Sequence, residues 1–180
     1  MARIMAGGLF KPRNSVLGTD LAGRVEAVDA NVTQFQPGDA VFGSTKHGCF
    51  AEYVCVSEEA VVGKPASITF EEAAAAGAAA FTALQGLRDK GQIKQGQKVL
   101  INGASGDVGT FAVQIARSFD AEVTGVCSTK NVDMVRSTGA DRVIDYAQED
   151  FTQKIGVTRW QGSLTRSATL TKDRPEAKSS

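Results

Sequence analysis

One short segment constrains this chain more than any other: the turn Gly103-Ala104-Ser105-Gly106-Asp107-Val108-Gly109. It follows an apolar run from Lys98 to Asn102 and opens onto Val108, Phe111, Ala112, Ile115, Ala116 and Phe119 at helical spacing. Glycines between a strand and a helix have a mechanical reading. Gly103 makes the tight turn, Gly106 lets a pyrophosphate approach bare backbone, and Gly109 brings the helix against the strand. Unpaired N–H groups at the start of the helix then bind phosphate. All seven residues, with Ala104, Ser105, Asp107 and Val108 between the glycines, are the expected dinucleotide cradle. A plain glycine turn is the competing reading.

The alternation continues beyond the turn. A strand is predicted over Glu122 to Cys127, a short helix from near Asn131 to Gly139, and a strand over Arg142 to Tyr146. Strand and helix in strict alternation predict a parallel, doubly wound α/β sheet. An NAD site places an acidic residue about 20 residues beyond the turn, where it holds the adenosine ribose. Here that strand end reads Cys127-Ser128-Thr129-Lys130. Two hydroxyls and an ammonium group suit a 2′-phosphate, so Ser128, Thr129 and Lys130 favour NADPH over NADH. A solvated loop is the alternative for Lys130.

Upstream the pattern is different. Strands are predicted over Leu21 to Val28, Ala40 to Phe42 and Ala51 to Val56, with turns at Asp29-Ala30-Asn31 and Gln36-Pro37-Gly38-Asp39. Short strands so spaced suggest part of a β-barrel. Thr69 and Glu72 form a capping-box signature before an Ala-rich helix running to Leu84.

Composition narrows the partners. Lys plus Arg is 20 and Asp plus Glu is 20, so no net field draws the chain to nucleic acid or an anionic membrane. The longest apolar run, Ala73 to Leu84, is too short to cross a hydrocarbon layer of about 30 Å. Met1 to Lys11 holds no long apolar segment before a cleavage site, which makes a cytoplasmic location the expectation. Cys49, Cys55 and Cys127 are odd in number and lack C-x-x-C spacing, so they read as reduced thiols and neither a disulfide framework nor a structural zinc site. His47, the single histidine, reads as a surface loop residue.

Taken in order, Leu17-Gly18-Thr19-Asp20-Leu21-Ala22-Gly23, Phe35-Gln36-Pro37-Gly38-Asp39, Phe50-Ala51-Glu52-Tyr53, Thr82-Ala83-Leu84, the glycine turn and Gly139-Ala140-Asp141-Arg142-Val143-Ile144-Asp145-Tyr146 resemble one known group. It is the zinc-independent quinone oxidoreductase branch of the medium-chain dehydrogenase/reductase superfamily, which includes zeta-crystallin. The resemblance runs from near Met1 to about Gln153. It implies part of a GroES-like β-barrel over residues 1–66 and the first half of a Rossmann-type doubly wound sheet over 67–153; residues 154–180 diverge from it, and their Ser-, Thr- and basic-rich composition reads as a flexible tail.

It also implies NAD(P)H-dependent reduction of a quinone or an α,β-unsaturated carbonyl, with Thr82 near the nicotinamide, Ser128 and Lys130 at the 2′-phosphate and Tyr146 near the adenosine end. Glu52 and Tyr53 are expected to hold the barrel. Zinc-dependent relatives carry Gly-His-Glu where this chain has Gly18-Thr19-Asp20, so no metal is expected. A full-length relative is expected to be a homo-oligomer, and no catalytic residue is assigned.

Three departures qualify this. Asp107 stands where the family usually has glycine, and its charge either repels the cofactor or merely complements the helix dipole. The family's opening barrel strands would precede Met1, and its second Rossmann half would follow Gln153. The sheet is therefore expected to be incomplete, with an exposed edge that favours association or marginal stability. A non-catalytic NADPH-binding or interaction module, or an inactive truncated product, are the rival readings.

Overall fold

The computed structural model describes residues 16–150 and the strand at residues 169–170. The chain divides into two compact units, one ending at Ala78 and the other beginning at Ala79.

In the first unit, β1 (Asp20–Arg24), β2 (Ala40–Ser44) and β3 (Val61–Gly63) form an antiparallel sheet in the order β1-β2-β3. Ala22 faces Phe42, and Phe42 faces Val62. The Pro37-Gly38 turn sets this register: the Val25 N–H donates to the Asp39 carbonyl, and the Gly38 N–H donates back to Val25. Strand β1 thus ends at Arg24, short of the predicted Val28.

The strand predicted over Ala51 to Val56 does not form. Its alternation survives, with Val54 and Val56 half-buried between exposed neighbours, but its backbone finds no ladder partner among the described residues. Exposed Tyr53 accordingly contributes no buried packing there. In its place, β3 pairs with β2 after a single 3-10 turn at Glu58–Ala60.

Helix α1 (Phe70–Leu84) starts with the predicted capping box. The Glu72 N–H donates to Thr69 Oγ1 at 3.1 Å, and the Thr69 N–H donates to Glu72 Oε2 at 2.8 Å. In the middle of α1, the Ala78 N–H donates to Asp20 Oδ1 at 2.5 Å.

The second unit continues α1 into a π-helical turn at Gln85–Lys90, longer than the predicted helix. Then follow β4 (Lys98–Asn102), α2 (Asp107–Ser118), β5 (Glu122–Cys127), a 3-10 turn at Thr129–Asn131, α3 (Val132–Ser137) and β6 (Arg142–Asp145). β4, β5 and β6 are parallel and adjacent, as alternation predicts. On one face Val99, Ile101 and Val123 pack with Ala112, Val113 and Ala116 of α2 and Val135 of α3. On the other, Leu100, Val126 and Ile144 form a smaller cluster. Alternate burial on both faces explains why these strands read as near-continuous apolar runs.

On the free side of β4 lies β7 (Thr169–Leu170), antiparallel, with Val99 facing Leu170 and Leu100 facing Thr169. The sheet order is β6-β5-β4-β7, so it is mixed and not purely parallel. These two residues belong to the stretch expected to be a flexible tail and instead cover part of the edge expected to be bare. The remainder of 151–180 lies outside the described residues.

Candidate cofactor site

The glycine turn leaves β4 at Asn102 and is anchored to the neighbouring strand. The N–H groups of Gly103 and Ala104 both donate to the Val126 carbonyl at 3.0 Å. Gly103 has φ +76°, a conformation open to glycine at little cost. The Gly106 N–H closes back on the Gly103 carbonyl at 3.0 Å, and Gly106 caps α2. Gly109 is buried, and a Cβ there would overlap the Gly103 carbonyl oxygen. Close contact between helix and strand thus requires glycine at 109.

The first intrahelical bond of α2 runs from the Thr110 N–H to the Gly106 carbonyl. Helix geometry therefore leaves the N–H groups of Asp107, Val108 and Gly109 without intrahelical acceptors, which is the donor set a phosphate would meet. One is taken: Asp107 Oδ1 accepts from its neighbour's Val108 N–H at 2.8 Å. The carboxylate sits at the helix N-terminus where it complements the dipole, and it also covers a donor that an anion would use.

Beside the turn lies the end of β5. Ser128 is half-buried, whereas Thr129 and Lys130 are exposed. Lys130 makes no ion pair among the described residues. Asn131 joins the two segments: its Nδ2 lies 3.1 Å from Ser105 Oγ and 3.2 Å from Ser128 Oγ. At the end of β6 lies Asp145, a buried carboxylate. The Thr129 hydroxyl, and after it the Ala147 N–H and the Gln148 side-chain amide, hold Asp145 below the ordinary carboxylate range, with burial opposing them. Burial and then the nearby Asp145 charge push the Cys127 thiol up, so it stays protonated.

Tyr146 is exposed just beyond β6. Thr82 is half-buried on the last turn of α1, and no hydrogen bond joins it to the glycine turn among the described residues. Sequence reasoning overlooked Asn131 and Asp145. An asparagine before a helix reads as a cap, but Asn131 makes no side-chain capping bond and reaches across to Ser105 instead. In the first unit, the Thr19 hydroxyl donates to Asp20 Oδ2 at 3.0 Å. No group of three or more His, Cys, Asp or Glu able to hold a metal occurs among the described residues. Nor is any helix among them long and apolar enough to cross a membrane.

Two family models match the chain: the alcohol dehydrogenase GroES-like domain over residues 2–66 and the zinc-binding dehydrogenase over residues 108–162. The human mitochondrial NAD(P)H oxidoreductase RTN4IP1 is 42% identical over 137 residues, covering 72% of this chain and 35% of the relative. The trans-enoyl reductase pgmF of Aspergillus terreus is 38% identical over 153 residues, covering 80% of this chain and 43% of the relative.

Among solved structures, the Escherichia coli quinone oxidoreductase complexed with NADPH superposes with a TM-score of 0.74 at 30% identity, over 82% of this chain and 46% of that one. The chain thus spans less than half the length of these relatives. With the GroES-like match in front, the glycine turn and parallel strands behind, and oxidoreductases among both the relatives and the solved structures, the chain is similar, over the part it spans, to the quinone oxidoreductases of the medium-chain dehydrogenase/reductase superfamily.

Proposed function

We propose that the chain is the cofactor-binding part of an NADPH-dependent reductase that works without zinc and reduces a quinone or an α,β-unsaturated carbonyl. The observation that carries this reading is the pairing of the glycine turn with a β5 end that offers hydroxyls and a lysine where an NAD site would offer a carboxylate. The residues present fit a dinucleotide: Gly109 allows the close contact at the turn, and the amides of Asp107 and Gly109 are left for the pyrophosphate. Ser128, Thr129 and Lys130 are the polar groups we assign to the 2′-phosphate end, with Tyr146 at the adenosine and Thr82 at the nicotinamide.

When bound, NADPH supplies the hydride. The chain's own contribution is to hold the dinucleotide in place, and a quinone needs little further activation. Although one matching family is described as zinc-binding, Thr19 and Asp20 stand where zinc-dependent relatives carry His and Glu. A threonine hydroxyl is a poor substitute for an imidazole ligand, and Asp20 is already engaged by Thr19 and Ala78. The three cysteines are free in the structure, which suits the reducing cytoplasm we propose for the chain.

Calorimetric titration with NADPH and NADH, followed by NADPH oxidation with a simple quinone, tests the proposal. Tighter binding of NADPH and quinone-dependent turnover are expected; equal affinity for the two cofactors would overturn the NADPH assignment. A second reading, cofactor binding without turnover, is favoured by the Asp107 carboxylate on the Val108 N–H. Saturable NADPH binding with no quinone-dependent oxidation would select it.

A further inference from the structure

We infer that Asn131 is a positioning residue for cofactor selection: it turns the hydroxyl protons of Ser105 and Ser128 outward as a pair of donors to the 2′-phosphate. This rests on the NADPH reading above. The geometry is specific. The Asn131 backbone N–H donates to the Ser128 carbonyl at 2.9 Å, which sets the side chain between the glycine turn and the end of β5. The Nδ2 group carries two hydrogens and has two acceptors, Ser105 Oγ at 3.1 Å and Ser128 Oγ at 3.2 Å.

A serine oxygen that accepts a bond still has its own hydrogen to give. Because Asn131 donates to both serines, neither can spend its hydrogen on Asn131, and both remain donors for an acceptor-only group such as a phosphate. The two serines lie on segments far apart in sequence, and Asn131 bridges them. Thr129 next to them is the contrast. Its hydroxyl is among the groups that hold the Asp145 carboxylate below its ordinary range, and no bond from Asn131 reaches it among the described residues. Ser105 and Ser128 are therefore the two hydroxyls that Asn131 sets as donors, alongside Thr129 and Lys130 at the same end of the site.

The polarity of the amide makes the inference testable. An alanine at 131 removes the orientation and leaves both hydroxyls free to rotate. An aspartate of nearly the same shape reverses every bond: it accepts both serine hydrogens and adds a negative charge beside the phosphate. Hydrogen bonds to charged groups set the scale, so Asn131→Ala should weaken NADPH binding about tenfold and Asn131→Asp about a hundredfold. NADH, which lacks the 2′-phosphate, should lose far less with either variant.

The experiment is calorimetry of the full chain with NADPH, NADH and 2′,5′-ADP, for the wild type, Asn131→Ala, Asn131→Asp, Ser128→Ala and the double variant Asn131→Ala with Ser128→Ala. Expected are a collapse of the NADPH-to-NADH affinity ratio in Asn131→Asp and a double variant weaker than Ser128→Ala by clearly less than Asn131→Ala alone predicts. If the wild type binds 2′,5′-ADP but the Asn131 variants keep its NADPH-to-NADH ratio, the positioning role is overturned. A wild type that binds neither NADPH nor 2′,5′-ADP overturns the NADPH reading beneath it. Unchanged circular dichroism and thermal midpoint separate these outcomes from unfolding, and a folded Ser128→Ala variant tests the same donor pair if an Asn131 variant does not fold.

Discussion

The two units of this chain differ in how completely their strands are buried. In the second, Val99, Ile101, Val123, Val126 and Ile144 are almost wholly enclosed, and helices α2 and α3 pack over one face of the sheet. In the first, Val41, Val61 and Ala73 are the buried apolar residues among those described, while Phe50 is 79% and Tyr53 74% exposed. A parallel βα sheet closes its core from segments adjacent in sequence, because each crossover helix packs back onto its own strands. An antiparallel barrel depends on strands from distant parts of the chain. A parallel βα unit can therefore be well packed within one stretch of sequence where a short antiparallel sheet is not.

The largest effect should come from cutting into the better-packed unit. Ile101 is 0% exposed and lies on β4 in the core cluster shared with α2. Ile101→Ala should cost about 2–5 kcal/mol, the usual price of a large cavity in a closed core. Val41→Ala, in the thinner unit, removes less volume from a looser setting and should cost clearly less. Urea unfolding of both variants checks the contrast, and an equal or greater loss at Val41 would break it.

Asp107→Gly comes next. Freeing the Val108 N–H and removing a charge from the turn should tighten NADPH binding about tenfold, the scale of one hydrogen bond to a charged group. Asp107→Asn separates the two causes, since it discards the charge while keeping an oxygen that can hold the same N–H. If affinity by calorimetry is unchanged in both, the carboxylate is only a helix cap.

The same contrast governs what the sequence made legible. β4, the glycine turn, α2 and β5 were readable because turn, cap and apolar period all lie within one continuous stretch, and the predicted strand from Glu122 to Cys127 agrees with β5 residue for residue. Ala51 to Val56 misled because alternation reports a half-buried extended segment and not its ladder partner, which is a non-local property. β3 escaped because three residues hold too little period to register. Asn131 was hidden by its position at a helix start, since its partners come from two separate segments. β7 was hidden by a Ser-, Thr- and basic-rich composition that gives no strand signal.

A smaller, pH-dependent effect belongs to Asp145. Its folded pKa lies below the unfolded value of about 3.9. The stabilisation is therefore fully present above that unfolded value and is lost as pH falls through the folded one. Asp145→Asn should flatten the acid limb of the stability profile below about pH 4, while leaving the dependence near neutrality unchanged. Urea midpoints across that range read the slope directly. An acid limb as steep in the variant as in the wild type would show that the bonds from Thr129, Ala147 and Gln148 do not favour the ionised form.

The smallest effect is expected where exposure is greatest. Tyr53→Ser removes an aromatic side chain that, among the described residues, has little burial to lose, so stability should stay within about 0.5 kcal/mol of wild type. This tests the first unit as sharply as Ile101 tests the second. If the loss instead approaches that of Ile101→Ala, then Tyr53 is covered in solution, and the first unit owes its packing to contacts beyond the described residues. Comparing the midpoint at two protein concentrations then tells association from a contact within one chain, because only association makes stability rise with concentration.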